Sequence, residues 1–262
     1  MSYKSLNEVL EAFIETTYEK EVRTILANLG DSSELGIDQE FGSFKLCWHP
    51  FGNNPSNIST VNLATKPGRS LTERLTNADD ASLEERSTPG VSPPRSPREA
   101  AKQWFGRPVS GPDDGLFNWD YAEAGYDKRI AVIVNPSGIE AAPTIDVTDD
   151  GIGLKPEQFP STILSLQSGN KIQKWYLIGA FGQGGASTLA FCEYALIVSR
   201  PRLDPKTVGF TVVKVLRLSE LYKEDTYAYL ALKPAEGTMT VPSCQITQES
   251  MRVPRIDGRR IG

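Results

Sequence analysis

The chain changes character at Lys128. Before it, apolar residues recur at helical spacing; after it comes a series of short runs rich in β-branched and aromatic residues, at 130–134, 144–147, 189–198, 208–216, 227–232 and 239–241, with turn residues between them. Helical patterns first and strand patterns later predict an α+β layer sandwich. The run at 189–198 is almost continuously apolar, which predicts a central strand buried on both faces. No internal repeat is evident.

Ahead of that change, Ser5 and Glu8 form a capping box before an apolar stripe of Leu6, Val9, Leu10, Phe13, Ile14, Tyr18, Val22, Ile25, Leu26 and Leu29, closed by Gly30. This spacing predicts one amphipathic helix within residues 1–30, its stripe packed on the core or, being so long, on a second copy. Residues 40–64 carry short apolar runs broken by Pro50, Gly52, Asn53, Asn54 and Pro55, which predicts a hairpin or two short strands. Residues 87–115 are rich in proline, with Pro89, Pro93, Pro94, Pro97, Pro108 and Pro112. Inside this stretch Ser96, Pro97 and Glu99 stand at N-cap, N1 and N3 of a short helix carrying Ala100, Ala101, Trp104 and Phe105, with Gly106 as its stop. We read 87–115 as an insertion within a domain, the alternative being a Pro-rich ligand segment.

A chain of 262 residues is long enough for one large domain with an insertion. Its net charge of −5 gives no global case for nucleic acid or an anionic membrane as partner. Cys47, Cys192 and Cys244 are far apart and form no metal-binding spacing with the single histidine, His49, so free thiols in a reducing compartment are expected, with His49 structural. With no apolar run of about 18 residues and no apolar stretch after Met1, the expectation is a cytoplasmic protein and no membrane partner.

Three polar motifs carry the chemistry. The first lies in residues 70–81, where helical pitch puts Leu71, Leu75 and Ala78 on one face and Glu73, Asn77 and Asp80 on another, about 200° round the axis. Ser70 and Glu73 are spaced to cap this helix; a solvated surface face would read the same way. The second is the strand pattern entering Asp149, followed by Gly151 and Gly153. A carboxylate there can accept a hydrogen bond from an exocyclic amine, and the glycines let the backbone approach a flat ring; a plain turn uses the same residues. The third is the glycine-rich stretch 179–187, whose unhindered N–H groups could form an anion nest, assisted by a helix starting near Ala186, or simply a flexible loop. It has neither the Walker nor the Rossmann spacing.

In combination and in order, these motifs resemble the GHKL (Bergerat-fold) ATPase superfamily of gyrase-type topoisomerases, heat-shock chaperone ATPases, MutL, MORC proteins and histidine kinases. The resemblance covers residues 71–240. It implies a two-layer α/β sandwich with a mixed, mostly antiparallel sheet and helices on one face, built as a single ATP-binding domain over 1–262. Within it, 154–181 would be the ATP lid and 241–262 a tail or a connection to a further domain. The resemblance further implies that Glu73 is the general base, Asn77 the Mg²⁺ ligand, and Asp80 the third member of the same box. Asp149 would accept the adenine amine, Gly151 and Gly153 would line the base pocket, and Gly182, Gln183, Gly184, Gly185, Ala186 and Ser187 would wrap the phosphates. Thr238 would stand beside the adenine-binding acid, and Lys171 in the lid is a candidate phosphate contact, though a solvated lysine reads identically.

The 87–115 insertion has no counterpart in that family. Members that hydrolyse ATP often take a cation from a following domain, and the residues after Thr238 are too few for one; Arg252, Arg255, Arg259 and Arg260 read better as a basic tail. The function expected from the resemblance is a Mg²⁺-dependent ATPase switch that dimerises or engages a partner subunit when ATP binds, any DNA contact being indirect. A nucleotide-gated module that does not hydrolyse is the first alternative. A kinase of the histidine-kinase branch is the second, disfavoured because His49 lies in a strand-like run.

Overall fold

The computed structural model describes residues 3–16, 18–31, 37, 39–59, 66–105, 130–135, 143–166, 174–179, 188–189, 191–217, 224–234 and 236–246. The N-terminal stripe forms two helices where one was expected, α1 (Leu6–Glu15) and α2 (Glu19–Asn28). The Ser5 hydroxyl accepts the Glu8 N–H at 3.3 Å as the capping box requires. The break comes at Thr16, which is extended (φ −68°, ψ 141°) and donates its hydroxyl to the Phe13 carbonyl at 2.7 Å. A threonine hydroxyl competes in this way for helix carbonyls. Glu21 then starts α2 by accepting the Tyr18 N–H at 2.9 Å, and Gly30 (φ +77°) ends it, with the Asp31 N–H returning to the Leu26 carbonyl at 3.0 Å.

The chain continues through β1 (Glu40–Phe41), β2 (Phe44–Pro50), α3 (Pro67–Arg86), α4 (Pro97–Phe105), β3 (Ile130–Asn135), β4 (Thr144–Asp149), β5 (Tyr194–Ser199), β6 (Thr207–Leu216), β7 (Thr226–Pro234) and β8 (Ser243–Gln245). One sheet has the order β1-β2-β7-β6-β5, with β8 paired to the first residues of β6, while β3 and β4 form a separate hairpin. Every strand pairing among the described residues is antiparallel, so the expected mixed character is not seen. The result is an α+β architecture with four helices among the described residues, compatible with a two-layer sandwich.

Alternation along the strands sorts the core into two faces. Trp48, Phe210, Val212 and Leu230 meet the buried stripe of α1 and α2, so that stripe packs into this chain's own core. Tyr227, Tyr229, Ala231 and Val213 point the other way, against Phe51, Phe159, Leu164 and Leu189. Asn57 staples this second face, donating to the Phe51 and Tyr227 carbonyls at 3.0 and 2.7 Å and accepting the Tyr227 N–H at 2.8 Å. At the first face Asp31 accepts from the Trp48 indole at 2.8 Å and pairs with Lys214 at 2.5 Å.

Helices α3 and α4 belong to neither cluster. Leu83 and Ala100 pack instead with Tyr176 and Leu177.

Two strand expectations need correction. The run at 189–198 becomes a strand only from Tyr194, and β5 is half-buried at the sheet's edge; β6 and β7 are the central strands. Glu193 interrupts the run by pairing with Arg23 at 2.8 Å on the surface. The run at 239–241 shrinks to one bridge, Thr240 with Leu232, beside Pro242, which has no N–H to continue a ladder. Within the stretch 241–262 read as a tail or connection, Ser243–Gln245 form β8. Among the described residues no helix is long and apolar enough to cross a membrane.

Candidate functional site

Helix α3 starts earlier than its motif predicts. Lys66 is the N-cap and Pro67 stands in the first turn, where a missing N–H is harmless. Ser70 therefore lies inside the helix, buried, with no hydrogen-bond partner for its hydroxyl among the described residues, and the Ser70–Glu73 capping box does not form. The packing face also differs from the expected leucine stripe. Leu71 and Leu75 are half-buried, whereas Ala78, Asp80, Ser82 and Leu83 are buried; Glu73 and Asn77 are half-buried beside them.

The second motif folds against the middle of this helix. The Ile152 N–H donates to the Ala81 carbonyl at 3.1 Å, and the Ile152 carbonyl accepts the Arg202 N–H at 2.9 Å. Arg202 also pairs with Glu85 of α3 at 2.9 Å, while the Leu154 N–H reaches the Ser199 hydroxyl at 2.8 Å. The loop is thus stitched between α3 and the end of β5. A Cβ on Gly151 would lie 2.5 Å from the Ala81 carbonyl carbon, and one on Gly153 (φ +67°) would lie 2.2 Å from the Arg200 carbonyl oxygen. Both glycines are required by the protein's own packing, whether or not a flat ring lies near. Asp149 is exposed at the end of β4 and accepts the Gly151 N–H at 2.9 Å, holding the turn.

The flanks of the third motif also reach α3. Asp80, 2 % exposed, accepts the Ile178 N–H at 2.6 Å and the Gly179 N–H at 3.1 Å. Two backbone donors satisfy a buried carboxylate well. Just before them, Lys174 pairs with Glu84, and Tyr176 meets Trp104 of α4 edge-on at 5.2 Å. At the other flank Arg74 donates to the Thr188 hydroxyl at 2.5 Å; burial pushes its guanidinium below its ordinary pKa. The Cys192 thiol donates to the Thr188 carbonyl at 3.3 Å.

Lys171, Gly182, Gln183, Gly184, Gly185, Ala186 and Ser187 lie outside the described residues. Thr238 is exposed, just after Gly237 (φ +112°). His49 is on β2, edge-on to Tyr229, and bonds Asn53 at 3.1 Å; burial lowers its pKa. Among the described residues no group of three or more His, Cys, Asp or Glu side chains is placed to hold a metal.

Sequence reasoning missed Arg74 and Asp146. Arg74 stands one turn before Ala78 and two before Ala81, so a charge on the packing side of the helix was the available signal. Asp146, buried on β4 and hydrogen-bonded by the Asn135 amide at 2.8 Å, sits where strand alternation puts an inward residue, while Ile145 beside it is 48 % exposed. No family model, curated protein or solved structure matches this chain.

Proposed function

We propose that this chain is a GHKL-type ATP-binding domain, Bergerat in fold, that hydrolyses ATP with Mg²⁺ and uses the cycle as a conformational or dimerisation switch. One observation carries the reading: the helix of the first motif is the one to which the second motif and the described flanks of the third are bonded. Glu73, Asn77 and Asp80 are on α3, the Asp149 loop is bonded to Ala81, and both described flanks of the glycine-rich stretch are bonded to Asp80 and Arg74. Motifs matched by chance would have no reason to converge.

In this reading Asp149 recognises the adenine amine, Gly151 and Gly153 line the base pocket, and the loop is held against α3 at Gly151 and against Arg200 at Gly153. Glu73 orients and deprotonates the attacking water, the task of a positioned carboxylate. The half-buried Asn77 offers the hard amide oxygen that magnesium accepts alongside phosphate and water, so the residue fits the ion without an all-protein cage. Mg²⁺ bound there would supply charge neutralisation to the phosphates. His49 is held by Asn53 and Tyr229 on a strand, which supports the ATPase reading over a histidine-kinase one.

The test is Mg²⁺-dependent ATP hydrolysis by wild type, Glu73→Ala and Asp149→Asn, with binding followed by calorimetry. Turnover should vanish in Glu73→Ala while binding survives, and binding should vanish in Asp149→Asn. Intact binding without turnover in wild type would leave a gated module; no binding at all would sink the assignment.

A further inference from the structure

Every Ser-Pro and Thr-Pro pair in the chain falls within the proline-rich insertion: Thr88–Pro89, Ser92–Pro93 and Ser96–Pro97. The proposed ATP site uses none of them. A hydroxyl followed by proline has a simple basis for recognition, since proline brings no N–H to be left unpaired in a partner's cleft. For phosphoryl transfer the hydroxyl must also be able to reach the donor, on backbone that can lie straight in that cleft.

The structure separates the three pairs. Thr88 opens a tight turn: its carbonyl accepts the Val91 N–H at 3.2 Å across Pro89 and Gly90 (φ +82°), a type II arrangement that reverses the chain at once. Ser96 is half-buried at the start of α4, its hydroxyl already accepts the Glu99 N–H at 3.1 Å, and Pro97 is helical. Ser92 is exposed, and its hydroxyl has no hydrogen bond among the described residues. Residues 92–94 belong to no helix, strand or turn, and Ser92 and Pro93 each precede a proline, which biases both to extended backbone.

Charge points the same way. Three residues after the three hydroxyls stand Val91, Arg95 and Glu99 in turn, so only Ser92 is followed at that spacing by a cation. An exposed guanidinium there gives a kinase cleft a charge to pair with. Pro94 is buried, which leaves Ser92, Pro93 and Arg95 as the residues of this segment turned outward. That burial, with Pro97 already in α4, also denies the Pro94–Pro97 spacing to a partner that reads polyproline II.

We propose that Ser92 is a phosphorylation site for a separate proline-directed protein kinase, which reads Ser92, Pro93 and Arg95. The kinase supplies its own Mg-ATP. The bond from the γ-phosphorus to its bridging oxygen breaks and ADP leaves, while the Ser92 oxygen bonds phosphorus and its proton passes to the kinase's aspartate. The product carries about −1.5 to −2 charge three residues from Arg95, on the segment that joins α3 to α4. This holds whether or not the chain itself binds ATP.

The experiment incubates the folded chain with a cyclin-dependent kinase and Mg-ATP, counting phosphate by intact mass and placing it by peptide mass spectrometry, beside a blank without kinase. A single phosphate on Ser92 is expected, absent from the blank, from Ser92→Ala and from Pro93→Ala. Losing a charged contact in Arg95→Ala should slow the initial rate by roughly tenfold or more. These side chains are exposed, and the Arg95 N–H still donates to Glu99 at 2.8 Å in every variant but Pro93→Ala and Arg95→Ala only if the fold is lost, which circular dichroism checks. Phosphate on Thr88 or Ser96 with Ser92 unlabelled overturns the proposal, as does an unchanged rate in Arg95→Ala or Pro93→Ala. So does equal labelling in the blank, or no label on the folded chain while the kinase labels a standard peptide.

Discussion

Replacing Gly153 by alanine separates two accounts of the Asp149 loop. If the glycines exist only to admit a flat ring, nucleotide-free protein should scarcely notice the extra methyl. The structure says otherwise. Gly153 has φ +67°, and its Cβ would sit 2.2 Å from the Arg200 carbonyl oxygen and 2.8 Å from the carbonyl carbon. Gly42 is a matched control, since it has φ +63° with nothing within 4 Å of a Cβ. At Gly42 alanine meets only the left-handed backbone cost of about 1–2 kcal/mol. At Gly153 the same cost is joined by displacement of the chain at 200–201, an overpacking term of about 1–3 kcal/mol. Totals of about 1–2 and 2–5 kcal/mol correspond, at about 3 °C per kcal/mol for a domain of this size, to melting-point losses of about 3–6 °C and 6–15 °C. Thermal and urea unfolding of the two nucleotide-free variants beside wild type give the comparison. Equal losses in Gly42→Ala and Gly153→Ala would refute the packing account, leaving the glycine to a ligand.

The remaining expectations are simpler. Asp80→Asn places an amide against the Ile178 and Gly179 N–H groups and should cost about 1.5–3 kcal/mol in urea unfolding; an unchanged midpoint would deny that the carboxylate holds this segment. Trp104→Ala, which removes the ring against Tyr176, should cost about 2–3 kcal/mol and reduce the near-ultraviolet circular dichroism of Tyr176, and full retention of both would detach α4 from the 174–177 segment. His49 is harder to protonate in the folded than in the unfolded chain, because burial outweighs the Asn53 bond. Its contribution to stability is therefore complete above the unfolded pKa of about 6.5 and lost as pH falls through that value toward the folded one. As the chain has one histidine, wild type should lose more stability than His49→Gln between about pH 7.5 and 5.5, and parallel curves would contradict this.

Where an element was set by local chemistry, the sequence was a sufficient guide. The Ser96–Pro97–Glu99 signal gave α4, with the Glu99 N–H on the Ser96 hydroxyl at 3.1 Å, and β-branched runs located β3, β4, β6 and β7. Where distant partners decide, it was not. Nothing local at Ser70 competes with Pro67, one turn earlier, for the start of α3. Likewise the centrality of β6 and β7 over β5 follows from which strands pair, a long-range matter that apolar content does not encode. Of the candidate site, the carboxylates and glycines were legible as types and spacings. The bonds of Ile152, Ile178, Gly179 and Thr188 to α3 and the protein-made reason for Gly151 and Gly153 are contacts between segments tens of residues apart, which no spacing contains.

Helix α3 has a further consequence for how the chain is made. Its bonded partners at 152, 174–179, 188 and 202 all follow it among the described residues, so α3 leaves the ribosome before these exist. At about 5–20 residues per second, the stretch from Arg86 to Arg202 takes roughly 6–25 s to synthesise. During that wait a helix with a leucine-lined inner face would be an aggregation hazard. The buried face of α3 instead sets Leu83 among Ser70, Ala78, Asp80 and Ser82, small or charged side chains at ease in water, and Arg74 and Asp80 are later bonded by hydroxyl and backbone partners. Its polarity suits a helix that must stay soluble alone before it becomes the point where three distant segments join.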